Sequence, residues 1–231
     1  MVAILDMLNI AGAVALLLWG THMVQTEVQR AFGPRLRTFL ARTLKNRLAA
    51  LLAGIGVTTL LQSSTATGLM ATAFAADGLV PLVPAMAIML GANIGTALIV
   101  TVLSFNIAIL ALPLVLLGVL LFRRDTSAML HDLGRSFIGL GLMILALHQM
   151  LTLLQPFEQS RELVTMLGLI ATAPLLAIAL GAAAAWATHS SVAVVLFVMS
   201  LAASRVIPIE PALLLVALAI LGSALNPLLG A

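Results

Sequence analysis

The chain has 231 residues, of which 62% are hydrophobic and only 8% charged, and its formal net charge is +3. Soluble domains carry about 25% charged residues, so this composition excludes a soluble globular protein and predicts an all-α integral membrane protein. The absence of cysteine excludes disulfides, thiol catalysis and cysteine-based zinc sites. The basic residues flank apolar segments, which indicates topology signals rather than nucleic-acid binding.

The first half of the chain begins with an apolar helix at about residues 4–24, long enough to cross a membrane. Residues 25–47 mix basic and apolar side chains, which predicts an amphipathic segment in the membrane surface, in two pieces because Gly33-Pro34 interrupts it. The next two apolar stretches, Leu48–Leu61 and Gln62–Asp77, are each too short to cross, since such helices span only about 20 Å. They predict a re-entrant hairpin.

A full-length helix is predicted at Leu79–Ser104, broken at Gly91–Thr96, where two glycines flank Asn93. Glycine lowers helix stability, and the carbonyls of broken helices bind ions in many transporters. The alternative interpretation is a glycine face for close helix packing. Two further crossings are predicted at Ala108–Phe122 and Leu133–Leu154.

The second half repeats the first at an offset of 127 residues. This offset pairs serines, glycines and prolines: Ser63-Ser64 with Ser190-Ser191, Gly54 with Gly181, Pro81 with Pro208, and Pro84 with Pro211. The repeat predicts a second hairpin, Leu163–Ala187 with Ser190–Ala203, and a second discontinuous helix from about Val206, broken at Gly222–Pro227. One transport domain would thus contain repeat 1 at about 1–122 and repeat 2 at about 123–231.

The number of crossings sets the relation between the two repeats. If each hairpin returns to its own side, three crossings precede the second repeat, which then enters from the opposite side. The predicted fold therefore has two inverted-topology repeats whose hairpin tips meet near the midplane. Nine of the eleven basic residues fall on one side, which the positive-inside rule makes cytoplasmic. The N-terminus is expected outside the plasma membrane and the C-terminus inside.

The hairpin tips hold dense clusters of uncharged polar residues inside an apolar sequence, Gln62–Thr67 and Thr188–Ser191. Polar side chains at membrane depth cost free energy unless they are satisfied, so such clusters indicate a functional site. The alternative is that each Ser and Thr bonds back to a carbonyl of its own helix.

Three stretches at this spacing resemble the type II sodium/phosphate cotransporters, in their bacterial branch: Leu44–Arg47, Gln62-Ser63-Ser64 and Leu90–Thr96. The second half matches through His189-Ser190-Ser191. It departs from the family at His189, where Gln is common, and at Gly222–Pro227, where the family has a fuller segment similar to Gly-Ala-Asn-Ile-Gly-Thr.

The resemblance implies a symporter of the bacterial inner membrane with inorganic phosphate as substrate and sodium as coupling ion. It implies no catalytic residue, no cofactor and no metal beyond sodium. Phosphate is then expected at the tips, on Gln62, Ser63, Ser64, Thr65, His189, Ser190 and Ser191. Sodium is expected at oxygen donors, on Thr67, Asn93, Thr96, Thr188 and Asn226. A homodimer and a cytoplasmic regulatory domain or protein are further expectations from the resemblance.

Other functions are a transporter of sulfate or arsenate, a membrane phosphatase acting on a lipid pyrophosphate, and a channel or scaffold. Phosphatase chemistry usually needs clustered carboxylates, a metal or a phosphate-clamping arginine. The eight acidic residues are instead expected near segment ends: Asp6, Glu27, Asp77, Asp125, Asp132, Glu158, Glu162 and Glu210.

Overall fold

The computed structural model describes residues 2–42, 46–104, 108–124, 127–154, 179, 181, 183–185, 188 and 190–229, the last nine by their backbone alone. Within these ranges the chain forms helices and turns and no strand. The helices are α1 (Val2–Arg42), α2 (Arg47–Leu61), α3 (Ser64–Ala76), α4 (Leu82–Ser104), α5 (Ala111–Arg123), α6 (Ala128–Leu154), α7 (Ser191–Ala203) and α8 (Ile209–Leu229).

Among the described residues, three helices are long and apolar enough to cross a membrane, over Leu5–Ala41, Leu82–Leu103 and Ala128–Leu154. They belong to α1, α4 and α6. Large apolar side chains such as Leu116 and Leu213 remain exposed on the outside of the bundle, as expected of a protein whose solvent is lipid. The prediction of an all-α membrane protein is therefore confirmed.

The first helix is longer than the sequence predicted. We expected a crossing at 4–24 and then a surface segment in two pieces, but α1 is a single helix of 41 residues with Pro34 inside it. A proline removes one helical hydrogen bond. The Pro34 carbonyl still accepts a hydrogen bond, from the Thr38 hydroxyl at 3.0 Å, and Leu40 beyond the proline is fully buried. The packing of this last part of α1 on the core keeps it helical.

Two short helices, α2 and α3, form a helical hairpin at the predicted place, and that this hairpin is re-entrant stays a prediction. They contain 15 and 13 residues, so each is about 20 Å long and shorter than a bilayer core. The chain reverses between them at Gln62 and Ser63. Asp77 ends α3 and is exposed, as expected for a turn residue.

The fourth helix is continuous, and the predicted break at Gly91–Thr96 is wrong. A Cβ on Gly91 would lie 2.2 Å from the Leu51 carbonyl oxygen, and one on Gly95 would lie 2.8 Å from the Ile55 carbonyl oxygen. The glycines thus let α4 approach the backbone of α2, the packing role that small residues have in membrane helices. In the second half α8 likewise runs through Gly222–Pro227 without a break.

The α2–α4 contact gives a stability prediction with a matched control. Gly91→Ala should lower the free energy of unfolding by about 1–3 kcal/mol, because its Cβ would force two helix backbones apart. Gly56→Ala should be neutral or stabilising, because a Cβ on Gly56 meets nothing within 4 Å and Ala has the higher helix propensity. Thermal unfolding in detergent compares the two variants. Equal stability of both would contradict the close-packing role.

The fifth helix is shorter than predicted. The crossing expected at Ala108–Phe122 is a 3₁₀ turn at Ala108–Leu110 followed by the 13 residues of α5, and by length it belongs with the shorter apolar helices. It packs on α6 through Gly118 and Gly134, whose added Cβ atoms would lie 2.6 and 2.7 Å from each other's carbonyl oxygen. That α5 crosses the membrane stays a prediction, as does the count of three crossings.

The local structure of the first half recurs 127 residues later. Both α7 and α8 begin at this offset from α3 and α4. The turn after α3 has a positive φ of 70° at Gly78, and the turn after α7 has a φ of 51° at Arg205, the same position in the repeat. Arg205 adopts a conformation that favours glycine, so the turn geometry is kept although the glycine is not.

One acidic residue does not lie near a segment end. Glu27 is in the interior of α1 and only 1% exposed, which corrects the prediction for the acids. Its Oε1 atom lies 3.0 Å from Nη1 of Arg135 on α6 and 3.5 Å from Nη1 of Arg30. Spacing within α1 could not show this, because the main partner belongs to another helix.

Candidate functional site at the two hairpin tips

The first tip is the junction between α2 and α3. Gln62 ends α2 in the left-handed region, with φ 51° and ψ 28°, and Ser63 continues in an extended conformation. A left-handed backbone is uncommon for a residue other than glycine and costs free energy, so it concentrates in turns and functional sites. It reverses the chain within two residues, and one helix ends where the next begins.

Ser63 caps the N-terminus of α3. Its Oγ accepts a hydrogen bond from the backbone N–H of Ala66 at 3.2 Å, the usual role of a serine at this position. The N–H groups in the first turn of a helix together carry a partial positive charge. The positive end of α3 therefore lies at the tip, beside Ser64.

The second tip has the same local geometry. Ser190 has φ −144° and ψ 101° against −143° and 103° for Ser63. Its Oγ accepts from the backbone N–H of Ala193 at 3.3 Å and so caps α7. The two polar motifs thus form the same capped helix start, which neither motif alone could establish from sequence.

The two tips meet. The Oγ atoms of Ser64 and Ser191 lie 3.3 Å apart, within hydrogen-bond distance, and both residues are buried. Two helix N-termini, each with a hydroxyl in its first turn, therefore face one shared position. Five of the residues predicted for phosphate are gathered there: Gln62, Ser63, Ser64, Ser190 and Ser191.

A third helix reaches both tips through Gln25, which sequence analysis missed. The Nε2 atom of Gln25 donates to the Gln62 carbonyl at 2.8 Å and to Ser190 Oγ at 3.2 Å. The available signal was an uncharged polar side chain in a helix long enough to cross a membrane. It was obscured because residue 25 was taken as the start of a surface segment.

A hydroxyl pair lies one turn behind the first tip. Thr58 Oγ1 donates to Thr67 Oγ1 at 2.8 Å, and Thr67 Oγ1 donates to the Ser63 carbonyl at 3.2 Å. Thr58 and Thr67 are fully buried. Hydroxyl and carbonyl oxygens are the hard donors that alkali and alkaline-earth cations prefer. Thr67 was predicted as a sodium ligand, whereas Thr58 was not recognised.

The other predicted residues are more dispersed. Thr96 is buried on α4 and donates to the Ala92 carbonyl of its own helix at 3.1 Å, while Asn93 is partly exposed on the same helix. Thr188 donates to the carbonyls of Ala184 and Ser190 at 2.8 and 3.3 Å. Thr65 is partly exposed at the first tip. His189 and the side chain of Asn226 lie outside the described residues.

One polar atom at the first tip has no partner among the described residues. The Oε1 atom of Gln62 is buried and receives no hydrogen bond from them. An unsatisfied buried acceptor costs about 1–3 kcal/mol. Such an oxygen is suited to a cation or to the O–H of a protonated oxyanion, so its place at the tip is consistent with a binding site.

The described part of the tips offers dipoles rather than ionised side chains. The described groups that meet there from α1, α3 and α7 are hydroxyls, amides and helix ends. Helix N-termini and hydroxyls bind phosphate-like anions without a lysine or arginine. The arrangement can therefore hold a tetrahedral oxyanion, with neutral oxygen donors nearby for a cation.

The comparisons with known proteins agree with this chemistry. The family model described as Na+/Pi-cotransporter matches residues 16–152, a range that includes Gln25, the first tip, α4 and most of α6. The chain belongs to the Na+/Pi-cotransporter family. The resemblance found in the sequence is thereby confirmed, and the family is one of transporters.

The chain is also similar to curated bacterial proteins. Over 225 residues it is 43% identical to the "Putative inorganic phosphate export protein YjbB" of Escherichia coli O157:H7 and 42% identical to the proteins of that name in Escherichia coli K12 and Salmonella typhimurium. These matches cover 97% of this chain and 41% of each relative. The family member described here therefore spans less than half the length of these relatives. No solved structure is detectably similar to it.

Proposed function

We propose that this chain is a sodium-coupled transporter of inorganic phosphate in the bacterial plasma membrane, with the phosphate bound between the two hairpin tips. The observation that carries the proposal is the contact between Ser64 and Ser191, whose Oγ atoms are 3.3 Å apart. It brings two capped helix N-termini to one buried position in a membrane protein of a phosphate transporter family.

The tips suit the charge of phosphate. Phosphate at neutral pH carries between one and two negative charges, which are costly to bury unless donors surround its oxygens. The first turns of α3 and α7 supply the positive ends of two helix dipoles. The serines supply hydroxyl donors, and the Thr65 hydroxyl and His189 are assigned to the same ligand because they flank the tips in sequence.

An inverted repeat accounts for how the tips meet. Ser64 and Ser191 occupy equivalent positions in the two halves and touch each other, as residues do on a two-fold axis. The contacts between helices are reciprocal as well: α3 packs on α8, and its equivalent α7 packs on α4, the equivalent of α8. We infer that this axis lies in the membrane plane, so that each half supplies one re-entrant hairpin to a site near the midplane.

Sodium is assigned to the oxygen donors beside the tips. The Thr58–Thr67 pair and the Ser63 carbonyl form a compact group of such donors, with Asn93, Thr96, Thr188 and Asn226 as the further predicted ligands. A cation next to the anion offsets its charge where the dielectric constant is low. Each ion then strengthens the binding of the other, which is the physical basis of coupled transport.

The direction of transport is a separate matter from the site. The relatives YjbB are named for phosphate export, and the type II cotransporters that the sequence resembles are symporters. One site serves either direction, because a carrier moves its substrate down the combined gradients of phosphate and sodium. We also propose a homodimer and a cytoplasmic regulatory domain or protein. This chain spans 41% of the length of the relative from Escherichia coli O157:H7.

Flux of radiolabelled phosphate into proteoliposomes tests the proposal. We expect uptake well above that of protein-free liposomes, stimulated by an inward sodium gradient and not by an equal potassium gradient. Unlabelled arsenate and sulfate as competitors show how narrowly the site selects phosphate.

The outcomes separate the parts of the proposal. Phosphate flux that does not respond to sodium would reject the coupling ion and leave the substrate in place. Stronger competition by sulfate than by phosphate itself would make the protein a sulfate carrier. Release of phosphate by hydrolysis of a lipid pyrophosphate, without any phosphate flux, would favour the membrane phosphatase.

A further inference from the structure

Gln25 connects three helices with one amide group. Its Nε2 atom carries two hydrogens, and it donates to the Gln62 carbonyl at 2.8 Å and to Ser190 Oγ at 3.2 Å. The first acceptor belongs to the first tip and the second to the other tip, 128 residues further along the chain. Gln25 therefore spans the junction between the two halves from a helix that belongs to neither tip.

The hydrogen bond to Ser190 determines what the Ser190 hydroxyl can do. A hydroxyl oxygen has two lone pairs and one hydrogen. Ser190 Oγ already accepts from the Ala193 N–H at 3.3 Å, and Gln25 occupies its second lone pair. The hydroxyl can then interact with a further group only by donating its hydrogen. An anion is bound by hydrogen-bond donors. Gln25 therefore leaves the Ser190 hydroxyl as a donor that can bind an anion.

The hydrogen bond to Gln62 has an electrostatic effect. Gln62 ends α2, so its carbonyl lies at the negative end of that helix. This carbonyl is close to the tip where the positive end of α3 would bind an anion. Donation from Gln25 offsets its partial negative charge. The amide thus reduces repulsion at one tip and creates a donor at the other.

Among the described residues of the second half, no equivalent of this side chain lies at the repeat offset. The residue at the repeat offset is Thr152, which is exposed and donates to the His148 carbonyl of its own helix at 3.0 Å. The Gln25 bridge is therefore an asymmetric element between two tips whose capping geometry is repeated. This asymmetry argues against a general packing role that the repeat would impose on both halves.

We propose that Gln25 is a positioning residue for the oxyanion site: it holds the two tips together and fixes the Ser190 hydroxyl as a hydrogen-bond donor. The assignment of the ligand as phosphate rests on the proposed function, whereas the bridge between the tips does not. The proposal has two independent readouts, the distance between the tips and the affinity for inorganic phosphate.

The tip distance can be measured by disulfide formation, because the chain has no cysteine. The Oγ atoms of Ser64 and Ser191 lie 3.3 Å apart. We therefore expect diamide to cross-link the double variant Ser64→Cys/Ser191→Cys rapidly. Adding Gln25→Met, which keeps the length and removes both donors, should slow cross-linking about tenfold, as expected for two lost hydrogen bonds. Gln149→Met is the matched control, since Gln149 is exposed on α6 and should change nothing.

Phosphate affinity is measured in the chain with its native serines. Gln25→Met should weaken the binding of inorganic phosphate about tenfold. Gln25→Glu keeps the shape but replaces the donor by a carboxylate, so its loss should be larger. A residue that served only packing would give the two variants similar losses of stability and no loss of affinity.

The results decide between the alternatives as follows. Slower cross-linking with Gln25→Met together with the affinity order wild type, Met, Glu supports the proposal. Unchanged cross-linking with Gln25→Met, or unchanged affinity in both variants, overturns it. If Gln25→Met does not fold, Gln25→Glu provides both tests. Cross-linking that depends on Gln25 in a protein that binds no phosphate would keep the bridge and reject the proposed function instead.

Discussion

Arg135→Met should lower the free energy of unfolding by about 3 kcal/mol, since removing one partner of a buried ion pair leaves the other charge uncompensated. The side chain of Glu27 is only 2% exposed, and its Oε1 atom lies 3.0 Å from Nη1 of Arg135. Its Oε2 atom is buried with no partner among the described residues. The value lies at the low end of the usual range because the Arg135 side chain is 38% exposed.

Arg30→Met is the matched control for Arg135→Met. Arg30 contacts the same carboxylate oxygen, but at 3.5 Å and with a side chain that is 59% exposed, so its loss should cost less than about 1 kcal/mol. Adding Glu27→Gln to Arg135→Met should recover most of the lost stability, because the buried charge is then gone. Thermal unfolding in detergent measures all three variants. Equal losses for the two arginine variants would contradict the assigned pairing.

Replacing either serine pair by alanine should lower phosphate affinity by two decades or more. The variants are Ser63→Ala/Ser64→Ala and Ser190→Ala/Ser191→Ala. Each removes two hydroxyls next to an anion, on the order of 3–6 kcal/mol for two charge-assisted hydrogen bonds. Since Ser63 and Ser190 also cap their helices, each variant should in addition lose about 1 kcal/mol of stability. Calorimetric titration with phosphate gives the affinity, and thermal unfolding gives the stability.

The matched control for the serine pairs is Ser136→Ala/Ser200→Ala. Both control serines are buried, and each donates to a carbonyl of its own helix, at 3.0 and 2.7 Å. This double variant should bind phosphate as the wild type does. A comparable loss of affinity in the control would show that any pair of buried hydroxyls has this effect and would reject the special role of the tips.

The hairpin tips could be predicted from sequence because local rules determine them. A polar residue that ends one short helix and a serine that caps the next are properties of neighbouring residues. The offset of 127 residues then transferred the same geometry to Ser190, where the backbone angles agree with those of Ser63 within about two degrees. The sequence analysis placed both tips at one site, and the contact between the Ser64 and Ser191 side chains agrees with that placement.

The continuous helices could not be predicted from local rules. Glycine lowers helix propensity, which favoured a break at Gly91 and Gly95, yet contact with the α2 backbone requires those glycines inside a continuous α4. Likewise Gly33-Pro34 favoured an interruption of α1, whereas burial of Leu40 continues the helix past it. In both cases tertiary packing overrides a weak local preference.

The long-range contacts of two polar side chains of α1 were missed for a related reason. Gln25 bonds to residues of both tips, and Glu27 pairs with Arg135 of α6. These partners are between 37 and 165 residues away in sequence, so no motif or spacing connects them. Only the packing of α1 against α6 and the tips brings the partners together.

The central claim is that both tips hold one phosphate, and the fourfold variant of Ser63, Ser64, Ser190 and Ser191 to alanine tests it most directly. If the two pairs share one ligand, their losses are coupled, and the fourfold variant should lose less binding free energy than the two double variants together. Calorimetric titration with inorganic phosphate of the wild type, both double variants and the fourfold variant measures this difference. Near-normal affinity in both double variants, with the proteins folded, or losses that add in full, would contradict a shared phosphate site.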